Sequence, residues 1–202
     1  MDGQAAPLQK PRSNNRRQAI LDAAAYRFRR QGYAATTMRD IATDAGMLAG
    51  SMYYHFAAKS ALLLAVHQEG VRRIADAVDA ALAVKSLAAD PWARLEAALA
   101  AHLESLLDGG DYAQVVIRDL PADEPELKQQ LIQLRDDYED RFRTLTDSLP
   151  VPAADKTGLR LLLLGAANWS KTWFRTDGMP PAQIAAQFVR LVRAPHHKGD
   201  TA

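Results

Sequence analysis

The chain is expected to be all-α, with about nine helices, and its 202 residues give three grounds for that. Ala, Leu, Arg and Gln dominate. Apolar residues recur at helical spacing, and no strand-like alternation bounded by turn residues occurs. The length suits one ordinary domain, or a small one joined to a larger one, with room for a substantial buried core.

Charge divides the chain. Residues 1–60 carry nine Lys/Arg against four Asp/Glu, a net of +5, and the remainder carries sixteen against twenty, a net of −4. A basic head suits a polyanionic partner, and a solvated basic helix face has the same composition. With no Cys, disulfides, thiolate zinc sites, iron–sulfur clusters and cysteine nucleophiles are excluded. The first residues, MDGQAAPLQKPRSNNRRQ, lack the apolar core of a signal peptide. The apolar run LRLLLLGAAN is too short for a bilayer, so a cytoplasmic protein with no membrane partner is expected.

Residues 1–12 read as a flexible basic arm. A first helix is expected over 15–31, with Ile20, Ala24 and Phe28 on one face and Gly32 as its stop. Thr37, followed three residues later by Asp40, has the pattern of a capping box opening a second helix, which Gly46 closes in a left-handed turn. A third helix is expected over 49–56 and a long fourth over 59–84. Asp90 and Pro91 open a fifth, with Gly109 as its stop. YAQVVIRDLP reads as a short sixth. The seventh carries a stripe of Leu127, Leu131, Leu134, Tyr138, Phe142 and Leu145 that ends at Pro150. Two more are expected over 154–175 and 181–192, then a disordered tail over 195–202.

Two short helices about a Gly-containing turn, behind a basic amphipathic helix, form the pattern of a helix-turn-helix reader over 13–59. Gly46 permits the turn, Gly50 removes a Cβ where DNA approaches, and Ser51 is small enough to meet base edges. Tyr54 and His55 reach phosphate oxygens. Ile41, Ala45, Met52 and Phe56 have the spacing of the small core behind them, and on the residues alone Tyr53 reads as packing rather than readout.

The stretch TTMRDIATDAGMLAGSMYYHFAAKSALL resembles the N-terminal domain of TetR-family transcriptional regulators at Thr37, Ile41, Ala42, Ala45, Gly46, Gly50, Ser51, Tyr53, His55, Phe56, Lys59 and Leu62. The resemblance implies a homodimer on a palindromic double-stranded DNA operator, usually a repressor, released by a small-molecule effector. It places Thr37 and Arg39 at phosphate, Ala49, Gly50, Ser51 and Tyr53 in or beside the groove, and Tyr54, His55 and Lys59 on the DNA backbone. Arg16 and Arg17 of the first helix add phosphate contacts. Leu48-Ala49 stand where the family often has a polar pair, so base readout rests on fewer polar groups. The arm's basic residues, Lys10 and Arg12, either enter the minor groove or belong to a solvated tail.

Residues 60–194 are expected to hold the effector site and dimer surface. The resemblance implies that the last two helices pair with their copies, with Leu161, Leu164, Gly165, Phe188 and Leu191 at the interface; packing within one chain is the alternative. GAANWSKTWFRTDGMPP resembles a TetR subgroup with Asn-Trp near the end of the penultimate helix, some of whose members respond to acyl-CoA thioesters. On that resemblance Trp92, Leu99, Leu103, Val116, Leu120, Tyr138, Phe142 and Trp169 are candidates for an effector pocket, with His102, Arg118 and Asn168 as polar anchors. A CoA phosphate calls for a cation such as Arg118, Lys171 or Arg175 near the mouth. A free hydrophobic effector is the alternative, and no resident cofactor is expected. None of the five His lies in a metal-ligand spacing, and no phosphate loop or nucleophile elbow occurs, which argues against an enzyme.

Overall fold

The computed structural model describes residues 12–84, 89–117 and 121–194, and among them ten α-helices and no strand. The arm before residue 12, the tail after 194, Arg118 and Leu120 lie outside the described residues. None of the described helices is long and apolar enough to cross a membrane.

The N-terminal unit begins with α1 (Arg12–Ala35), whose helical dihedrals break at Gly32. Ile20, Leu21, Ala24 and Phe28 are fully buried on one face, and sealing one such large side chain from water contributes about 1.5–3 kcal/mol. Thr37 then caps α2 (Met38–Asp44). Its Oγ1 accepts from the Asp40 amide at 3.2 Å, while the Asp40 carboxylate accepts from the Thr37 amide at 3.1 Å. Those hydrogen bonds hold the Asp40 carboxyl below its ordinary range. Thr37→Ala is expected to destabilise the protein by about 1 kcal/mol in urea titration; an unchanged midpoint would show the cap to be idle.

Gly46, at φ 66°, makes the left-handed turn between α2 and α3 (Ala49–Met52), a conformation that costs a Cβ-bearing residue strain. The helix expected over 49–56 is a single turn. The amides of His55 and Phe56 both donate to the Met52 carbonyl, at 2.8 and 2.9 Å, which tightens the chain and brings Phe56 into the core beside Met52. Leu48 supplies no side-chain cap at the other end. The chain then enters α4 (Lys59–Leu82), and the division between the two compact units falls inside this helix, between Val66 and His67.

The C-terminal unit contains the rest of α4, α5 (Pro91–Asp108), α6 (Gly110–Val116), α7 (Pro125–Asp147), α8 (Ala153–Asn168), α9 (Ser170–Trp173) and α10 (Pro181–Arg193). Asp90 caps α5 as expected, accepting from the amides of Trp92 and Ala93 at 2.9 and 3.2 Å. α10 packs chiefly on α5 through Ile184, Ala185 and Val189. The α7 stripe is buried except at half-buried Leu134.

The helix expected over 154–175 is two helices. The chain turns at Trp169, which remains outside, so that Ser170 is buried and Phe174 packs against the core. Gly70 permits a close approach: a Cβ there would meet Val116 Cγ2 at 2.6 Å and the Tyr112 carbonyl oxygen at 3.1 Å, so α6 can lie against α4 only because the side chain is absent.

Candidate functional site

In the N-terminal unit, Ile41, Met52 and Phe56 are buried behind the turn, leaving the opposite face to solvent. Gly50, Ser51 and Tyr53 are exposed, Tyr54 is 93% exposed, and Ala49 and His55 are half-buried. Tyr53 therefore does not pack in the core, contrary to the reading from residues alone. A single turn turns inward at residues 52 and 56, which leaves 53 and 54 outward. A Cβ at Gly50 would meet nothing within 4 Å, so this surface is open. Arg16, Arg17 and Arg39 are exposed, and the Arg17 guanidinium lies 5.3 Å from the Phe56 ring centroid.

Two of the residues expected at phosphate have their polar groups engaged within the chain. Lys59 Nζ donates to the carbonyls of Tyr33, Thr36 and Ala34 at 2.8, 2.9 and 3.4 Å, and lies 4.3 Å from the Tyr33 ring centroid. All three ammonium protons are thus engaged at the end of α1. The Thr37 hydroxyl is likewise engaged, donating to Asp40 Oδ2 at 2.6 Å while it accepts the capping bond.

Sequence reasoning missed the brace between α1 and the end of α2. Arg27 pairs with Asp44, with Nη2 donating to Oδ1 at 2.7 Å, and that bond holds the Asp44 carboxyl below its ordinary range. Opposite charges 17 residues apart carry no periodic signal.

The C-terminal unit encloses a cavity of about 220 Å³, lined by His67, Val71 and Ile74 of α4, His102 and Leu106 of α5, Val116 and Ile117 at the end of α6, Leu131, Arg135, Tyr138 and Glu139 of α7, and Leu164 and Asn168 of α8. Of the expected lining, His102, Val116, Tyr138 and Asn168 are brought together here. Trp92, Leu99, Leu103 and Phe142 are buried in the surrounding core but do not line the cavity. Trp169 is 67% exposed and turned away from it, because the turn after α8 places it outside.

Leu164, assigned from sequence to the partner-facing surface, is buried in its own chain and lines the cavity, one turn of α8 before Asn168. Phe188 is half-buried, its ring 6.2 Å from that of Trp173. Leu161, Gly165 and Leu191 are exposed, and Leu162 and Trp169 extend the apolar face of α8. Arg175 pairs with Asp177 at 3.1 Å and does not line this cavity; the cation at its wall is Arg135, which the sequence reading did not single out, nor His67. His67, Val71 and Ile74 stand at i, i+4 and i+7, a helical face that would have revealed them.

His102 is held between two partners, its Nδ1 2.7 Å from the Tyr138 hydroxyl and its Nε2 3.1 Å from Asn168 Oδ1. An amide oxygen only accepts, so Nε2 carries the proton and Nδ1 accepts from the Tyr138 O–H. Burial pushes the His102 pKa down to about 4, against the Asn168 hydrogen bond, and raises that of Tyr138. Both groups are neutral at pH 7, and the Asn168 amide nitrogen remains a donor.

Known proteins agree with this division. The family model described as "Bacterial regulatory proteins, tetR family" matches residues 20–66, and the one described as "Tetracyclin repressor-like, C-terminal domain" matches residues 88–195. The HTH-type transcriptional repressor KstR2 of Mycobacterium tuberculosis is 38% identical over 105 residues, 52% of this chain and 50% of the relative, so the chain spans about half the length of the curated relatives it matches.

A tetR-family regulatory protein from Rhodococcus RHA1 superposes with a TM-score of 0.74 at 25% identity, covering 92% of this chain and 98% of that one. AibR, solved with isovaleryl coenzyme A and operator DNA, gives 0.72 at 24% identity over 87% and 97% of the two chains, a likeness of fold. These matched models and relatives are of regulators, not enzymes. One model covers the helix-turn-helix and the other α5 to α10, and the chain belongs to the TetR family of bacterial regulatory proteins.

Proposed function

We propose that the protein is a one-component transcriptional repressor that binds a palindromic operator as a homodimer and is released by a small effector in the C-terminal cavity. The observation that carries this is the exposed face Gly50, Ser51, Tyr53 and Tyr54, set over a buried Ile41, Met52 and Phe56 by the Gly46 turn. Phosphate contacts from Arg16, Arg17, Arg39, Tyr54 and His55 supply most of the affinity, and few polar groups reach base edges.

The exposed apolar face of α8, with Leu161, Leu162 and Gly165, together with Leu191 of α10, is the surface for a second copy. Dimerisation sets two recognition helices about 34–36 Å apart or a multiple of that, and an effector that binds better to another spacing releases DNA. KstR2 is a repressor, and AibR was solved with both an acyl-CoA and operator DNA, which support the same roles here.

The cavity size favours a short acyl group or a small free compound over a large buried ligand. If the effector is a thioester, its CoA portion remains outside, with Arg135 as the nearest cavity-wall cation.

Purified protein should enrich one inverted repeat from genomic DNA. Enrichment lost with short acyl-CoA thioesters but kept with the free acids identifies the thioester class, whereas loss with the free compound identifies the alternative. No enrichment at low salt would refute the regulator. Arg39→Ala is expected to weaken operator and non-operator DNA alike and to lower the salt-dependence slope by about one, read by fluorescence anisotropy. An unchanged slope would remove Arg39 from the phosphate contacts.

A further inference from the structure

His67 is 6% exposed, lines the C-terminal cavity, and has no hydrogen-bond partner among the described residues. The other buried imidazole of the cavity, His102, is fully engaged by Tyr138 and Asn168. The His67 ring nitrogens are not sealed within the packing and open onto the cavity, so their hydrogen bonds are completed by whatever occupies it, water or a ligand. Around it stand Val71, Ile74, Val116 and Leu164, so the occupant must be largely apolar.

The charged groups at the wall limit its chemistry further. Arg135 pairs with Asp136 at 3.3 Å and Glu139 at 3.7 Å, and its side chain is more exposed than that of Glu139. A carboxylate entering the cavity would face Glu139 without an unengaged cation, whereas an uncharged oxygen meets no such repulsion. The volume of about 220 Å³ exceeds the roughly 150 Å³ that accommodates benzene in an engineered apolar cavity, leaving room for one ring with a short substituent.

We propose that His67 is the specificity-determining contact for an uncharged, oxygen-bearing apolar molecule in this cavity, its imidazole hydrogen-bonding the ligand's carbonyl or hydroxyl oxygen. The inference rests on the reading of the cavity as the effector site. It makes the neutral oxygen, rather than a carboxylate or bare hydrocarbon, the feature that is recognised. A neutral imidazole offers one donor and one acceptor, so ketones, thioester carbonyls and alcohols all qualify. Burial, which pushes the His67 pKa down to about 4, keeps the ring in that form.

The test is titration of full-length protein carrying ¹⁵N-labelled histidine with three ring-matched probes: cyclohexanone, methylcyclohexane and cyclohexanecarboxylate. Cyclohexanone is expected to shift the His67 ring nitrogens and to bind about three- to tenfold more tightly than methylcyclohexane, the yield of one net hydrogen bond. His67→Phe should bring the two probes within about twofold of one another, and His67→Gln should keep a preference for the ketone. Equal binding of ketone and hydrocarbon, tightest binding of the carboxylate, a preference that survives in His67→Phe, or no binding of any probe would overturn the assignment. Genomic DNA enrichment by the wild-type protein is read separately. Enrichment without a ketone preference leaves the regulator standing and removes the His67 contact, while the reverse removes the regulator and leaves the contact.

Discussion

Between pH 6.5 and pH 4 the protein is expected to lose on the order of 3 kcal/mol of stability for each of the two buried histidines, His67 and His102. Each has a folded-state pKa pushed down to about 4 by burial, against an ordinary value of 6.5. Above pH 6.5 both states are neutral and the full stability is present. As pH falls below 6.5 the unfolded chain takes up protons that the folded chain refuses, so unfolding is favoured progressively until pH reaches about 4.

One carboxylate of lowered pKa overlaps only the acid end of this window. Glu69, whose pKa is held down to about 2 chiefly by its hydrogen bond from Arg72, contributes stability that is lost only below about pH 4.5. Urea titrations at pH 7.5, 6.5, 5.5 and 4.5 should show a steady decline, and His102→Gln, which can still donate to Asn168 and accept from Tyr138, should roughly halve it. A stability constant from pH 7.5 to 4.5 would mean that neither imidazole is held neutral by the fold.

The sequence carried the local features well because each is written within a few residues. Thr37 and Asp40 are one helical turn apart, Asp90 precedes Pro91, and Gly46 sits where α2 must reverse, so the caps and the helix-turn-helix were legible from spacing. Features made by tertiary approach were not. Leu164 lies in an apolar run whose residues all suit either a partner surface or a core, and only the rotation of α8 distinguishes Leu161 and Leu162, which are exposed, from Leu163 and Leu164, which are buried. His67 shares a helical face with Val71 and Ile74, but that this face lines a void depends on α5, α7 and α8 meeting α4 around it. Trp169 looked like a pocket residue because Asn168 precedes it, yet one turn of backbone sends the two side chains to opposite sides.

Lys59→Met is expected to destabilise the N-terminal unit by about 2 kcal/mol, the net worth of hydrogen bonds from a charged donor. The methionine keeps the length and apolar stem but supplies no proton to the carbonyls of Tyr33, Ala34 and Thr36, which lie 26, 25 and 23 residues upstream. Those carbonyls follow Gly32, where the α1 backbone leaves helical geometry and its internal hydrogen bonds are interrupted. The ammonium is therefore the piece that ties the end of α1 to the start of α4 and fixes the lead-in to Thr37.

Lys59→Arg should rescue little, since a planar guanidinium cannot converge three donors as an ammonium does. If Lys59 instead held a DNA phosphate, Lys59→Met would leave stability within about 0.5 kcal/mol of wild type and lower the salt slope of operator binding by about one. Denaturation and salt-dependent anisotropy on the same variant therefore separate the two roles: large loss of stability for the carbonyl clamp, a change in slope alone for the phosphate contact.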